Sequence, residues 1–420
     1  MVKKLKYLDL FAGAGGLSEG FVRAGFRPIA HVESDIAACY TLKTRTAYHW
    51  LNAHNQVQDY YRYLNNQMTR EQLYNLIPAR HLTSVINQAI SEKSQLAIFA
   101  SIDKLLGGKS LDLIIGGPPC QAYSLIGRSR DQNKMRGDHR NYLYVYYSRF
   151  LKRYAPKFFV FENVTGLVSA KTSSGAGYLT NMLKLFKRIG YTTEFKILTA
   201  NDYGVLQNRK RIILVGRKGS LAGFYPQPDK WIPGAYVNEV LDDLPALKAG
   251  LGDPWPCRIK PYNGDYLYEA GIRDDNTPVT LHWSRPNTKQ DLEIYRIAVK
   301  KWNSKKERLN YNDLPERLKS HENRASFLDR FKVVAADLPY SHTVVAHIAK
   351  DGHYYIHPDL QQNRSLTPRE AARLQTFPDD YYFESISGKP GRTPAFRQIG
   401  NAVPVTLAQK LACKLLEVWD

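Results

Sequence analysis

Short apolar runs that end in glycine or in a single acid recur along the first 217 residues. Lys6-Tyr7-Leu8-Asp9-Leu10-Phe11 is one, running into Ala12-Gly13-Ala14-Gly15-Gly16. Helical spacing follows from Leu17 to Ala24, and Gly25 predicts its stop. Pro28 to Glu33 predicts a second strand, Leu111 to Gly117 a third, Lys157 to Glu162 a fourth and Ile212 to Val215 another. Strands separated by helical segments predict an α/β fold with a doubly wound parallel sheet. Ligands of such sheets gather at the carboxyl ends of the strands. Glycines, Glu33, Cys120 and Glu162 stand at those ends here. Residues 45–98, including Val85-Ile86-Asn87-Gln88-Ala89-Ile90, read as a polar helical insertion on the sheet. From 218 to 363 prolines, aromatics and basic residues thicken, which predicts a second, smaller, loop-rich domain. Thr367-Pro368-Arg369-Glu370 then carries the signature of a capped helix start, with a stop before Pro378. Val405 to Trp419 reads as a last amphipathic helix.

Charge adds a partner class. The chain has 59 Lys plus Arg against 39 Asp plus Glu, a formal charge of +20. That excess favours a polyanion: DNA, RNA or an anionic membrane surface. No apolar run approaches the roughly 18 residues of a membrane span, and the start is too short and wrongly flanked for a signal peptide. Cys39, Cys120, Cys257 and Cys413 are widely scattered and form no CxxC pair. Neither a disulfide framework nor a cysteine zinc site is expected, and the chain reads as cytoplasmic with reduced thiols.

Four places carry candidate chemistry. The glycine loop 13–16 lets a ligand approach the backbone, and Glu33, about 20 residues on, is placed to meet ribose hydroxyls. A plain tight turn is the alternative. Cys120 follows Gly116-Gly117-Pro118-Pro119, in a rigid turn where a core thiol is out of place. The basic loop beyond it would favour the thiolate and has the composition of a lid over phosphates. Glu162 in Phe161-Glu162-Asn163-Val164 is either a helix-capping acid or a site acid. Arg209 and Arg211 in Gln207-Asn208-Arg209-Lys210-Arg211 alternate and so are expected on one side of a strand.

Together these segments resemble the cytosine-C5 DNA methyltransferases of bacterial restriction–modification systems, in family order and over nearly the whole length. Asp9 to Ser18 is similar to the family's cofactor loop, and Gly117-Pro118-Pro119-Cys120-Gln121 to its nucleophile motif. Glu162-Asn163-Val164, Gln207 to Arg211, Arg364 to Gln375 and Gln398 to Pro404 resemble four further motifs. The resemblance implies a Rossmann-like S-adenosylmethionine-dependent fold. Residues 1–217 plus 364–420 would form the catalytic domain and 218–363 a target recognition domain. It implies a Cys120 adduct to C6 of a flipped-out cytosine, with Glu162 at N3 and the amine, Arg209 at O2 and Arg211 supporting the site. Around S-adenosylmethionine it places Phe11, Gly13, Gly15, Leu17, Glu33, Ile36, Ile102, Asp103, Pro119, Leu143, Asn401 and Val403. Ile102 would pack on the adenine, with either Ser101 or Asp103 as its polar partner. Ser124, Arg128, Arg130, Arg136, Lys300, Lys301, Lys305, Lys306 and Arg308 would meet DNA. No metal is implied. The expected partners are duplex DNA and a cognate endonuclease, for a monomer away from membranes.

Three rival readings differ in what they leave unexplained. A transfer-RNA cytosine methyltransferase shares the chemistry, with a smaller recognition region as a rule. A catalytically silent DNA-binding regulator would not need Cys120, Glu162 and Arg209 together. A dinucleotide-dependent oxidoreductase is suggested by the glycines alone.

Overall fold

The computed structural model describes residues 4–119, 142–172, 175–322 and 324–419. Its centre is a seven-stranded sheet in the order β3-β2-β1-β4-β5-β8-β6. The strands are β1 (Lys6–Leu10), β2 (Arg27–Glu33), β3 (Val85–Asn87), β4 (Leu113–Gly116), β5 (Phe158–Val164), β6 (Tyr191–Thr199) and β8 (Lys210–Lys218). A two-residue strand, β7 (Gln207–Asn208), pairs outside this sheet with Ser341–His342. β3, β2, β1, β4 and β5 run parallel, while β8 lies antiparallel to both β5 and β6.

Side chains alternate between two buried faces, which explains why these strands read as continuous apolar runs. Phe158 and Val160 of β5 enter one core with Ile213 and Val215 of β8. Phe159 and Phe161 enter the other with Ile212 and Leu214. Helix α1 (Gly16–Arg23) and the C-terminal helix Val405–Glu417 cover the first face. The helices Gln95–Leu106, Leu143–Tyr154 and Tyr178–Arg188 cover the second.

The 45–98 stretch differs from its expectation at one point. It is helical in α2 (Ile36–Ala53) and in three short helices, but Val85–Asn87 is the edge strand of the sheet. His31↔Val85 to Glu33↔Asn87 set its parallel register, so its end lies beside Glu33.

α1 and the C-terminal helix cross at glycine. A Cβ on Gly16 would sit 2.4 Å from the Val403 carbonyl oxygen, and one on Gly20 would sit 2.4 Å from Ala408 Cβ. Gly20→Ala is therefore expected to cost about 1–3 kcal/mol through overpacking, read as a lower midpoint in urea unfolding. An unchanged midpoint would show that the helices separate freely.

The 218–363 segment contributes to three cores, and its Phe224 joins the one under the first face of the sheet. Val237, Val240, Tyr266, Leu267 and Leu281 pack with Leu366, Ala371, Leu374 and Phe383. A smaller core joins the helix Lys289–Lys305, through Ile294, Tyr295, Ala298 and Val299, to Leu309, Tyr311, Leu318 and Phe331. The segment from Arg364 fastens these parts through buried charge. The helix Pro368–Leu374 starts with the expected capping box of Thr367 and Glu370. Arg364 grips Glu370 with two bonds of 2.8 and 2.6 Å, and Arg373 bonds Asp379 at 2.9 and 2.7 Å. Arg373 also reaches Asp243, which Arg273 holds at 2.7 Å.

Candidate active site

Glycines and carboxylates meet along one edge of the sheet. The chain leaves β1 through Phe11, Gly13 and Gly15, all with positive φ (58°, 55° and 82°). Gly15 caps α1, and a side chain there would strike Leu42 and Tyr381. The position of a Gly13 Cβ faces open space. The Gly13 N–H donates to Glu33 Oε2 at 2.8 Å, while Ser34 and Asp35 N–H groups donate to Oε1 at 2.7 and 2.8 Å. Glu33 thus ties the loop after β1 to the end of β2. Ile36, at the start of α2, exposes 44% of its surface beside it. Asp9 is 1% exposed, and its Oδ2 has no hydrogen-bond partner. Burial, and then the charge of Glu33, holds the Asp9 carboxyl well above the usual range.

The next strand ends build a second cluster. A Cβ on Gly116 would lie 2.3 Å from the Leu10 carbonyl oxygen, and one on Gly117 would lie 2.5 Å from Glu162 Oε2. The glycines therefore let β4 lie against β1 and let the Glu162 carboxylate lie against the turn that leads to Cys120. Asn163 is buried, and its Nδ2 donates to the Pro118 carbonyl at 3.1 Å. Arg211 faces Val164 across the β5–β8 ladder, and its Nε lies 2.8 Å from Glu162 Oε1. Both side chains keep 13% of their surface exposed, so the pair is accessible from the sheet edge.

Several expected positions change place. Arg209 does not share the side of Arg211. It is fully buried, and its guanidinium donates to the Val344 carbonyl at 2.6 Å and the Gly400 carbonyl at 3.2 Å. The cause is the backbone: Gln207–Asn208 pairs with Ser341–His342, and regular alternation starts at Lys210. Arg211 is thus the arginine that pairs with Glu162, while Arg209 is held by backbone carbonyls in the interior. Ile102 and Asp103 also move. Both lie inside the helix Gln95–Leu106 rather than in a turn at the sheet edge. Ile102 is fully buried in the core, and Asp103 pairs with Arg153 and accepts from Tyr154 Oη at 3.1 Å. The end of β3 instead lies beside Glu33, where Asn87 Nδ2 donates to the Glu33 and Ser34 carbonyls at 3.2 and 3.1 Å. A three-residue strand gave too short a pattern for sequence reasoning to find it.

The remaining positions fall into three groups. Leu17, Leu143 and Val403 are nearly buried (6%, 6% and 7% exposed), while Pro119 and Asn401 are exposed. Cys120, Ser124, Arg128, Arg130 and Arg136 lie outside the described residues. On the 218–363 segment, Lys301 pairs with Glu307 and Asp313, Lys306 with Asp337 and Arg308 with Asp329. Lys300 and Lys305 are exposed and have no ion pair among the described residues. No group of three or more metal-ligating side chains occurs among the described residues.

The residues present suit a cationic nucleoside cofactor. A bare glycine loop, an acid at the end of β2 and a buried acid with an unpartnered oxygen surround one edge. The Glu162–Arg211 pair completes that edge with an anchored carboxyl group.

A family model for C-5 cytosine-specific DNA methylases matches residues 5–68 and 84–417. The type II methyltransferase M.Bpa9945I of Bacillus paralicheniformis is 41% identical over 98% of this chain and 98% of its own. M.DdeI of Desulfomicrobium norvegicum is 31% identical over 97% of this chain and 88% of its own. Among solved structures, a DNA modification methyltransferase encoded within an E. coli prophage superposes with a TM-score of 0.64 at 23% identity, covering 99% of both chains. The Dnmt2 methyltransferase of S. pombe does so with a TM-score of 0.52 at 16% identity, over 99% of each chain.

Proposed function

Because the chain belongs to the C-5 cytosine-specific DNA methylase family, we propose that it methylates C5 of a flipped-out cytosine in a specific duplex DNA sequence through a Cys120 adduct. The observation that carries the site assignment is the Glu162–Arg211 pair, 2.8 Å apart at the strand edge that also bears the Gly13–Glu33 contact. S-adenosylmethionine, when bound, supplies a sulfonium methyl and is left as S-adenosylhomocysteine. Glu33 would take its ribose hydroxyls, the bare loop at Gly13 and Gly15 would admit its backbone, and Ile36 would cover an apolar side. Asn401 and Val403 would close the pocket from the C-terminal segment.

The target ring sits beyond reach in a stacked duplex, so it is flipped into the pocket. The Cys120 thiolate adds to C6, and electron density moves to C5, which takes the methyl group. A base then removes the C5 proton as the sulfur leaves C6. Glu162 shares a proton with N3 and contacts the exocyclic amine, drawing charge into the ring. Arg211 fixes that carboxyl group and is the arginine placed to meet O2. Asn163, through the Pro118 carbonyl, steadies the Gly117–Pro119 segment that precedes Cys120 in sequence. Phosphate contacts from the basic residues set affinity, and fewer side chains read bases. A cognate endonuclease is the proposed companion, and the enzyme is proposed to act as a monomer in the cytoplasm.

The test offers labelled S-adenosylmethionine with duplex DNA and, separately, with transfer RNA. Label recovered as 5-methylcytosine in the duplex is expected; label in RNA alone would overturn the reading. Glu33→Ala is expected to weaken cofactor binding about tenfold or more, for the loss of charge-assisted hydroxyl bonds. Unchanged binding in titration calorimetry would remove Glu33 from the cofactor site.

A further inference from the structure

The end of the sheet opposite the site is basic and largely unbalanced. Lys157 precedes β5, whose far end carries Glu162. Lys218 ends β8, whose start carries Arg211. Seven residue steps of about 3.3 Å separate Arg211 from Lys218, or about 23 Å. Around Lys157 and Lys218 the backbone is stitched together: the Lys218 N–H donates to the Lys157 carbonyl at 2.9 Å, and Gly219 to Gly190 at 2.9 Å. Two helices end at the same edge, bringing Lys152 and then Lys187 and Arg188 beside it. Lys104 ends a third.

Lys104, Lys152, Lys157, Lys187, Arg188 and Lys218 form no ion pair among the described residues, and five are exposed, Lys157 being half-buried. Of the acids nearby, Asp103 is paired with Arg153 and Glu417 with Lys414, while Asp112 accepts from the Lys6 N–H. Cations in last turns complement helix C-termini, which accounts for the helical residues singly. It does not account for Lys157, in the turn before β5, or for Lys218, at the end of β8. In the 218–363 segment, by comparison, Lys301, Lys306 and Arg308 are each matched by an acid, while Lys300 and Lys305 are not.

We propose that this edge is a second, sequence-independent site for the phosphate backbone of duplex DNA, able to hold one segment while the catalytic edge holds another. A duplex seated at Glu162 and Arg211 cannot lie along the opposite edge without a sharp bend. The second occupant is therefore a separate or looped segment. Such a site would let the enzyme pass between segments while searching long DNA.

The test loads enzyme onto beads through a duplex that it methylates, then offers a short fluorescent duplex of unrelated sequence. Wild-type enzyme should retain the second duplex at low salt. The Lys152→Gln/Lys157→Gln/Lys187→Gln/Lys218→Gln variant should retain about tenfold less or lower, with the slope of log K on log salt smaller by about 3–4. Its methylation of a short duplex that carries the target sequence should be unchanged. Equal retention by the variant, no retention by wild type, or a parallel fall in short-duplex methylation would each overturn the inference. So would displacement of the second duplex by anionic phospholipid vesicles that bind more tightly. The inference rests on the DNA reading, and the two fail differently. An enzyme that methylates no duplex sinks that reading, whereas one that methylates but captures no second duplex sinks this one.

Discussion

Cys120→Ala is expected to lose methyl transfer to duplex DNA by on the order of 10⁴-fold or more, with cofactor and DNA binding kept. The size follows from the chemistry: C5 of cytosine is a poor nucleophile until a group adds at C6, and no water can replace a positioned thiolate. Glu162→Gln should cost about 10²–10⁴-fold, the usual range for a positioned acid. That variant keeps the oxygen that accepts from Arg211 Nε and loses the proton the ring requires. A trapping experiment separates the two. With 5-fluorocytosine in the duplex, C5 has no proton to lose after methylation, so wild-type enzyme should remain covalently attached to the DNA. Cys120→Ala should form no such complex, and Glu162→Gln should form it slowly. Full transfer by Cys120→Ala would end the covalent mechanism.

What was legible in the sequence was what repeats or ends abruptly. The β4 and β5 runs alternate between two buried faces, so they read as strands, and their terminal glycines and Glu162 fall together at one end of the sheet. The capping box at Thr367 and Glu370 is a local signal and located its helix. The failures have a common physical origin in partners distant along the chain. Arg209 and Arg211 look equivalent by alternation. The pairing of Gln207–Asn208 with Ser341–His342 breaks the strand before Lys210 and turns Arg209 toward Val344 and Gly400. Val85–Asn87 becomes a strand because β2 offers it a ladder, not because three residues carry a period. The charge of +20 was legible as a sum. Its distribution was not, because the acids that match Lys301 and Lys306 lie 12 and 31 residues away in sequence, at Asp313 and Asp337.

The same distance effect predicts where stability is concentrated. Arg373→Met is expected to lower the unfolding free energy by about 3–5 kcal/mol, the range for removing one partner of a buried ion pair. Arg373 has no exposed side-chain surface, and Asp243 and Asp379 are at most 1% exposed. Both carboxylates hold its guanidinium firmly charged against the opposing effect of burial. Methionine fills much of the volume and leaves Asp379 facing Arg369 at 3.9 Å and Asp243 facing Arg273 at 2.7 Å. Those contacts were each supplemented by Arg373, so two buried carboxylates lose their shorter or second partner. The loss is a fifth or more of the roughly 5–15 kcal/mol ordinary for a globular domain, and urea unfolding should show it. Arg373→Met/Asp379→Asn should recover part of it, since an amide needs no counter-charge in the same place. Because Arg373 fastens the 237–281 chain to the segment after 364, the destabilised variant should still transfer methyl groups per folded molecule at low temperature. A stability within about 1 kcal/mol of wild type would mean that the cluster is solvated, contrary to its burial.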